Sequence, residues 1–193
     1  MNLSRMVKIL IAIGVIVLAF GMWLSGSYNN FISLEENVKT NFANMDTQYQ
    51  RRFDLIPNLV ASVKGVLTQE QDIFGKLAEA RTQYGAAGND VSKKQAAAGQ
   101  LESSLSRLLV IMENYPNLRS VEAVQSLMIQ LEASENRVSV AREHYNTAVE
   151  SLNIATRRFP GNIVAGIFNF EQRQRFEAEV GAKVVPKVDL TVK

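Results

Sequence analysis

From Tyr28 onward the apolar side chains fall at positions 28, 31, 34, 38, 42, 45, 49, 53, 56, 60, 63, 67, 74 and 77. Nearly every step is three or four residues, the period of an α-helix that buries one stripe. The stripe keeps its phase through Pro57, in the stretch "RRFDLIPNLV". A turn that reversed the chain at that proline would break the register. The spacing therefore predicts one helix from residue 28 to Gln83, kinked at Pro57. The lost hydrogen bond and the clash with the Phe53 carbonyl cost about 3 kcal/mol. Asp54 is placed to cap amides of the following turn and so offset part of that cost. Uninterrupted, such a helix reaches about 84 Å and stops at the loop "YGAAGND".

A second helix is predicted from Ser92, its N-cap, to Asn114, with Ala98, Leu101, Leu105, Leu108, Met112 and Tyr115 on its stripe. After Pro116 the apolar residues are Leu118, Val121 and Val124, out of phase with that stripe. The slip marks Pro116 as a corner between antiparallel helices. A third helix runs from about Leu118 to Arg157 with Leu127, Leu131, Val138, Tyr145, Val149 and Leu152 on its face, and Pro160 and Gly161 stop it. Beyond it Asn162 caps a short apolar turn, Ile163 to Phe168. Glu171 to Gly181 reads as a polar helical segment, and "KVVPKVDLTVK" as an extended tail. The fold class that follows is all-α: an antiparallel bundle of three long helices with short C-terminal helical segments.

Ahead of the stripe, Ile9 to Leu24 is a run of sixteen residues without a charge, ten of them Leu, Ile, Val or Phe. Together these favour membrane insertion by about 3 to 6 kcal/mol. As helix the run spans about 24 Å, a little short of a ~30 Å hydrocarbon core. Val7, a snorkelling Lys8 and the Ser25–Tyr28 flank close the difference. Trp23 and Tyr28 stand where interfacial aromatics are enriched. The rival reading is a cleaved signal peptide, with Arg5 and Lys8 at its start and Ser25-Gly26-Ser27 as the cleavage site. The apolar run is longer than a typical signal core, so an uncleaved single-pass anchor is expected. Arg5 and Lys8 precede the span, Glu35 and Glu36 follow it, and Lys39 is the first cation beyond. The positive-inside bias then places the amino terminus in the cytoplasm and the bundle outside it. In a Gram-negative cell the bundle is periplasmic and the bilayer is the inner, cytoplasmic membrane. Gly14 and Gly21, seven apart, put small residues on one recurring face where membrane helices can pack.

Arg5 and Lys8 also account for the whole net charge of +2, from 21 basic and 19 acidic side chains. The remainder is balanced, with no basic face, which sets nucleic-acid binding aside. The absence of Cys removes disulfide frameworks and thiolate chemistry. His144, the single histidine, has no second His or Cys with which to share a metal, and Glu143 beside it points elsewhere on a helix. There is no P-loop or GxGxxG, and Gly85–Gly88 lacks a preceding strand and a following Lys. No catalytic residue, metal, cofactor or small-molecule substrate is expected.

One polar constellation stands out. Glu135, Arg142, Asn146 and Asn153 are spaced 7, 4 and 7 apart and share a stripe beside Val138, Tyr145, Val149 and Leu152. Glu70 and Arg81 on the first helix and Glu113 on the second are the available partners. The set reads first as an interhelical network that fixes register, and second as the wall of a groove that docks another protomer or protein. Arg51 and Arg52, beside Asp54, either satisfy carbonyls freed by Pro57 or present a fork to a partner carboxylate.

Five stretches, "YNNFISLEENV", "RRFDLIPNLV", "ENYPNL", "AREHYN" and "RRFPGN", resemble the signature blocks of the LemA family, over roughly residues 5 to 180; the second block is specific to that family. The resemblance implies an antiparallel helical bundle on one membrane anchor and no defined reaction. It also implies company with membrane peptidases and, in a related branch, with magnetosome membranes. Family descriptions place the short amino terminus outside the cell, whereas the charges here point the other way. The expected organisation is residues 1–27 as cytoplasmic start and anchor, 28–181 as bundle and 182–193 as tail. The expected function is a non-enzymatic membrane-anchored scaffold that forms a homo-oligomer or docks a membrane partner such as a peptidase. The reason is coverage: a second helix of about 35 Å cannot shield 84 Å or so of the first. The alternative is a binding module for peptide or cell-envelope fragments, marked by an apolar pocket with convergent polar groups. A carboxylate-dependent hydrolase using Glu70, Glu113 or Glu135 is the third reading.

Overall fold

The computed structural model describes residues 5–65, 67, 71–115 and 121–177, and among these every regular element is an α-helix. They are α1 (Arg5–Val63), α2 (Gln71–Ala86), α3 (Val91–Glu113), α4 (Glu122–Arg157) and α5 (Gly161–Phe168). The all-α class follows directly from the three-and-four spacing of the apolar residues. Contacts divide the chain into two compact units, Met1–Ala43 with His144–Arg175 and Asn44–Glu143 with Phe176–Lys193.

Pro57 lies inside α1, so the helix does continue through it. The helix does not, however, reach Gln83. It ends at Val63, followed by a turn in which the amide of Lys64 donates to the carbonyl of Val60 at 2.9 Å and that of Leu67 to Val63 at 3.0 Å. In the second unit α2 then runs back along α1: the Tyr84 hydroxyl donates to Asp46 at 2.8 Å, and Arg81 meets Asp54 at 3.4 Å. The single 28–83 helix is therefore two antiparallel ones. The stripe concealed this because the reversal falls in its one step of seven, from Leu67 to Phe74, and both helices present apolar faces to each other. One consequence is that α2 covers the stripe of α1 around Tyr49 and Phe53; both rings pack on Tyr84, at 5.5 and 4.7 Å.

The α2–α3 loop carries Gly88 at φ 56, a left-handed position that favours glycine. The N-cap of α3 is Asp90 and not Ser92; its carboxylate accepts from the Lys93 amide at 3.1 Å. Gln100 on α3 reaches Glu79 on α2 at 3.3 Å, so α3 is antiparallel to α2. Ala98, Leu101, Leu105, Leu108 and Met112 are all buried, as their spacing predicts, whereas Tyr115 is exposed. α3 ends at Glu113 and α4 begins at Glu122; Pro116, between them, lies outside the described residues.

In the first unit α4 is antiparallel to α1. Phe42 meets Tyr145 in a tilted ring pair at 5.6 Å, while further back along α1 Tyr28 meets Phe168 at 4.8 Å. α5 starts at Gly161, where an added Cβ would stand 2.5 Å from the Ala155 carbonyl oxygen. Asn162 lies within α5 rather than capping it; Pro160 holds the N-cap position without a side-chain bond. Asn169, left-handed at φ 56 and ψ 41, closes the helix. Residues 171–177 have no regular secondary structure, contrary to the helical expectation for 171–181. Side chains of α4 hold them instead. Asn153 donates to the Arg173 carbonyl at 2.9 Å and accepts from the Arg173 amide at 2.8 Å, and the Tyr145 hydroxyl donates to the Gln174 carbonyl at 2.8 Å. Backbone groups satisfied this way need no helix. The remainder of that segment and the tail lie outside the described residues.

Among the described residues one helix, Met6–Val63, is long and apolar enough to cross a membrane, and none of its apolar window is buried.

Candidate functional site

The second unit contains an apolar cleft of about 990 Å³ between α1, α3 and α4. α3 supplies Leu105, Leu108, Leu109 and Met112, and α4 supplies Val124, Met128, Ile129 and Leu131. Within each helix these residues recur at three and four, so each turns a single face to the cleft. The volume is that of a ligand-sized site. The cleft is not sealed: Leu109 is 41% exposed and Ile129 67%.

Charge is distributed unevenly around it. Arg52, only 7% exposed, is the cation of the lining. Its guanidinium pairs closely with Glu135 and lies 3.7 Å from Glu102. Among the described residues Arg52 Nε and Nη1 and Glu135 Oε2 have no hydrogen-bond partner. Glu113, Glu132 and Glu135 also line the cleft. The apolar floor thus carries one tethered cation and three carboxylates.

The sequence-predicted residues separate accordingly. Glu135 and Glu113 both line this cleft. Glu135 pairs with Arg52, not with the partners assigned to it. Arg81 pairs with Asp54, which therefore faces α2 instead of capping the turn after Pro57. Arg52 faces carboxylates, not carbonyls freed by Pro57, and Arg51 is exposed. Arg142 is half-buried with its charge felt at Tyr49, and Asn146 is half-buried. Asn153 belongs to the other unit, where it holds Arg173. Glu70 lies outside the described residues. Gly14 and Gly21 have open space where a Cβ would stand.

A second buried cluster escaped the sequence reading. Lys94, buried on α3, pairs with Asp46 and stands 4.3 Å from the centre of the Tyr84 ring. Asp46 also accepts from the Tyr84 hydroxyl. Burial, together with this bond, pushes the Tyr84 pKa well above the ordinary tyrosine range. The cluster ties α1, α2 and α3 together. Its signal was present: Lys94 is in phase with Ala98, Leu101 and Leu105, and Arg52 with Met45, Tyr49, Ile56 and Leu59. A charge on an apolar stripe must find a partner.

Among the described residues no three His, Cys, Asp or Glu side chains converge to hold a metal ion, and His144 is exposed on α4. The fold and cleft define a helical protein with a membrane-type helix at its amino end and an apolar recess in its body. The LemA family profile matches residues 41–190, and the chain belongs to that family. The match begins beyond "YNNFISLEENV", so family membership rests on the later blocks. Magnetosome proteins MamQ 1 and MamQ 2 of Paramagnetospirillum magneticum (strain AMB-1) are each 28% identical over 186 residues, covering 83% of this chain and 68% of theirs. Magnetosome protein MamQ of Magnetospirillum gryphiswaldense is 26% identical over 196 residues, covering 88% of this chain and 72% of its own. None of these names carries an enzymatic activity. With the membrane-type helix, they support a membrane-associated protein.

Proposed function

We propose that this chain is a membrane-anchored docking protein whose cleft receives an amphipathic, basic helix of another membrane protein. The observation that carries the reading is the cleft: an apolar, partly open recess with Glu113, Glu132 and Glu135 around it. An apolar stripe on a helix fills such a recess, and Lys or Arg beside that stripe meets the carboxylates. Self-association has less support, because its premise was an uncovered α1 stripe and α2 covers much of it.

The anchor is α1 around Ile9–Leu24. By the positive-inside bias the amino terminus is cytoplasmic and the helical body extracytoplasmic, on a bacterial inner membrane. The family's company with membrane peptidases makes such an enzyme one candidate partner.

The defined test is binding of a designed Leu/Lys amphipathic helix to the full chain in zwitterionic nanodiscs. Binding should weaken with salt and fall about tenfold or more in Leu109→Glu, a loss of at least ~1.4 kcal/mol. Equal binding by Leu109→Glu, or tighter binding of a Leu/Glu helix, contradicts the proposal.

A further inference from the structure

α5 is short, apolar and incompletely covered. Val164 and Ala165 are buried against the unit, but Ile163, Ile167 and Phe168 are 49%, 58% and 40% exposed, and Phe159 just before the helix is 75% exposed. Positions 159, 163 and 167 are four apart, so Ile163 and Ile167 share one outward face of α5. Arg157 and Arg158 stand exposed immediately ahead of it.

What lies beside α5 says what covers that face. Phe168 meets Tyr28 at 4.8 Å, Phe170 stacks on Phe31 at 4.9 Å, and Gly161 lies against the Phe31 ring. Both ends of α5 therefore meet α1 within the one turn from Tyr28 to Phe31, with the carboxyl end nearer the apolar run. Tyr28 is four residues past Leu24, about 6 Å along the helix, and Phe31 about 10 Å. A 24 Å run centred in a ~30 Å hydrocarbon core leaves roughly 3 Å of core beyond each end, with headgroups for a further 5 to 7 Å or so. That layer holds the Tyr28–Phe31 level.

We infer that α5 is an interfacial foot: Ile163, Ile167 and Phe168 rest in the acyl–headgroup boundary, with Arg157 and Arg158 toward anionic headgroups. The occupant of the exposed face is lipid, because the face is continuous with the segment of α1 that enters the bilayer. Interfacial helices bury an apolar face about 5 to 10 Å into this boundary and carry Lys or Arg at its edge. The foot gives the first unit a second attachment, adding to what a single spanning helix provides. The inference rests on the anchor reading of α1.

The test reconstitutes the full chain in phosphatidylcholine–phosphatidylglycerol vesicles with acyl chains brominated near the headgroup. Trp23, the single tryptophan, reports on the span. In a Trp23→Phe background, Ile167→Trp reports on α5, Ile163→Trp is a second reporter on the same face, and Val140→Trp on exposed α4 is the control. Trp23 and both α5 reporters should lose roughly half their emission on bromination, as expected for rings at that depth, while Val140→Trp stays unchanged. A quenched Trp23 with unquenched α5 reporters overturns the foot and leaves the anchor standing. The same holds if the α5 reporters are blue-shifted but unquenched, since protein then covers the face. An unquenched Trp23 overturns both.

Discussion

At the scale of single residues, Tyr49 shows how the second unit trades polarity for packing. Its ring is fully buried between Tyr84 and Phe176, yet among the described residues its hydroxyl has no hydrogen-bond partner. Burial, with Glu102 adding to it, pushes its pKa far above the ordinary range, so the group stays neutral. Tyr49→Phe keeps the rings and removes the orphaned donor. It should leave stability unchanged or raise it by about 1 kcal/mol in urea unfolding followed by circular dichroism; a clear loss would mean that the hydroxyl is used. The Arg52 pair is asymmetric in a measurable way. Arg52 is nearly sealed, whereas the Glu102 and Glu135 side chains keep 25% and 39% of their exposure. Glu135→Gln leaves the buried cation with only the more distant Glu102 and should cost about 2 kcal/mol, while Arg52→Met strands only acids that water already reaches and should cost less than about 1 kcal/mol. Equal losses in the two variants would show that the pair is coupled through something other than burial.

At the scale of elements, α1 tolerates Pro57 because packing on both sides holds the helix through it. Pro57 itself is exposed, so Pro57→Ala can restore an amide for the Phe53 carbonyl without a clash. The unfolding free energy should rise by up to about 3 kcal/mol; a fall would mean that the altered helix geometry is needed for packing. The start of α3 is sensitive to acid. The Lys93 amide, bonded to the Asp90 carboxylate, holds the Asp90 pKa below its ordinary 3.8. A depressed folded-state pKa gives stability that is present above the unfolded value and lost as pH falls through the folded one. The acid limb of a stability–pH curve below 3.8 should therefore flatten in Asp90→Asn, which caps without titrating; an unchanged limb would contradict this role.

Elements also show what was legible in the sequence. The stripes of α4 and, up to Met112, of α3 were readable residue by residue, because each helix buries one face along its length: Leu127, Leu131, Val138, Tyr145, Val149 and Leu152 are all buried. The end of α1 was not, since antiparallel helices that face each other continue the same periodicity. The segment 171–177 was misread as helix because its order comes from Asn153 and Tyr145, which are remote in sequence and leave no local pattern. For the same reason the partner of Glu135 was missed. Spacing placed Glu135 at the edge of the α4 stripe but cannot say which helix stands opposite.

At the scale of the whole molecule, the apolar amino-terminal helix, the family relationship and the acid-lined apolar cleft support the role we propose: a helical body held at a membrane to receive a helix from a neighbour. The most direct measurement places a photo-crosslinking amino acid at Ile129, on the cleft edge, and at Val140 as control, in the full chain in native membranes. The expected product is an adduct from position 129 to a Lys/Arg-bearing amphipathic helix of another membrane protein, absent from position 140 and abolished by Leu109→Glu. Adducts formed only between two copies of this chain, or equally from both positions, would contradict it.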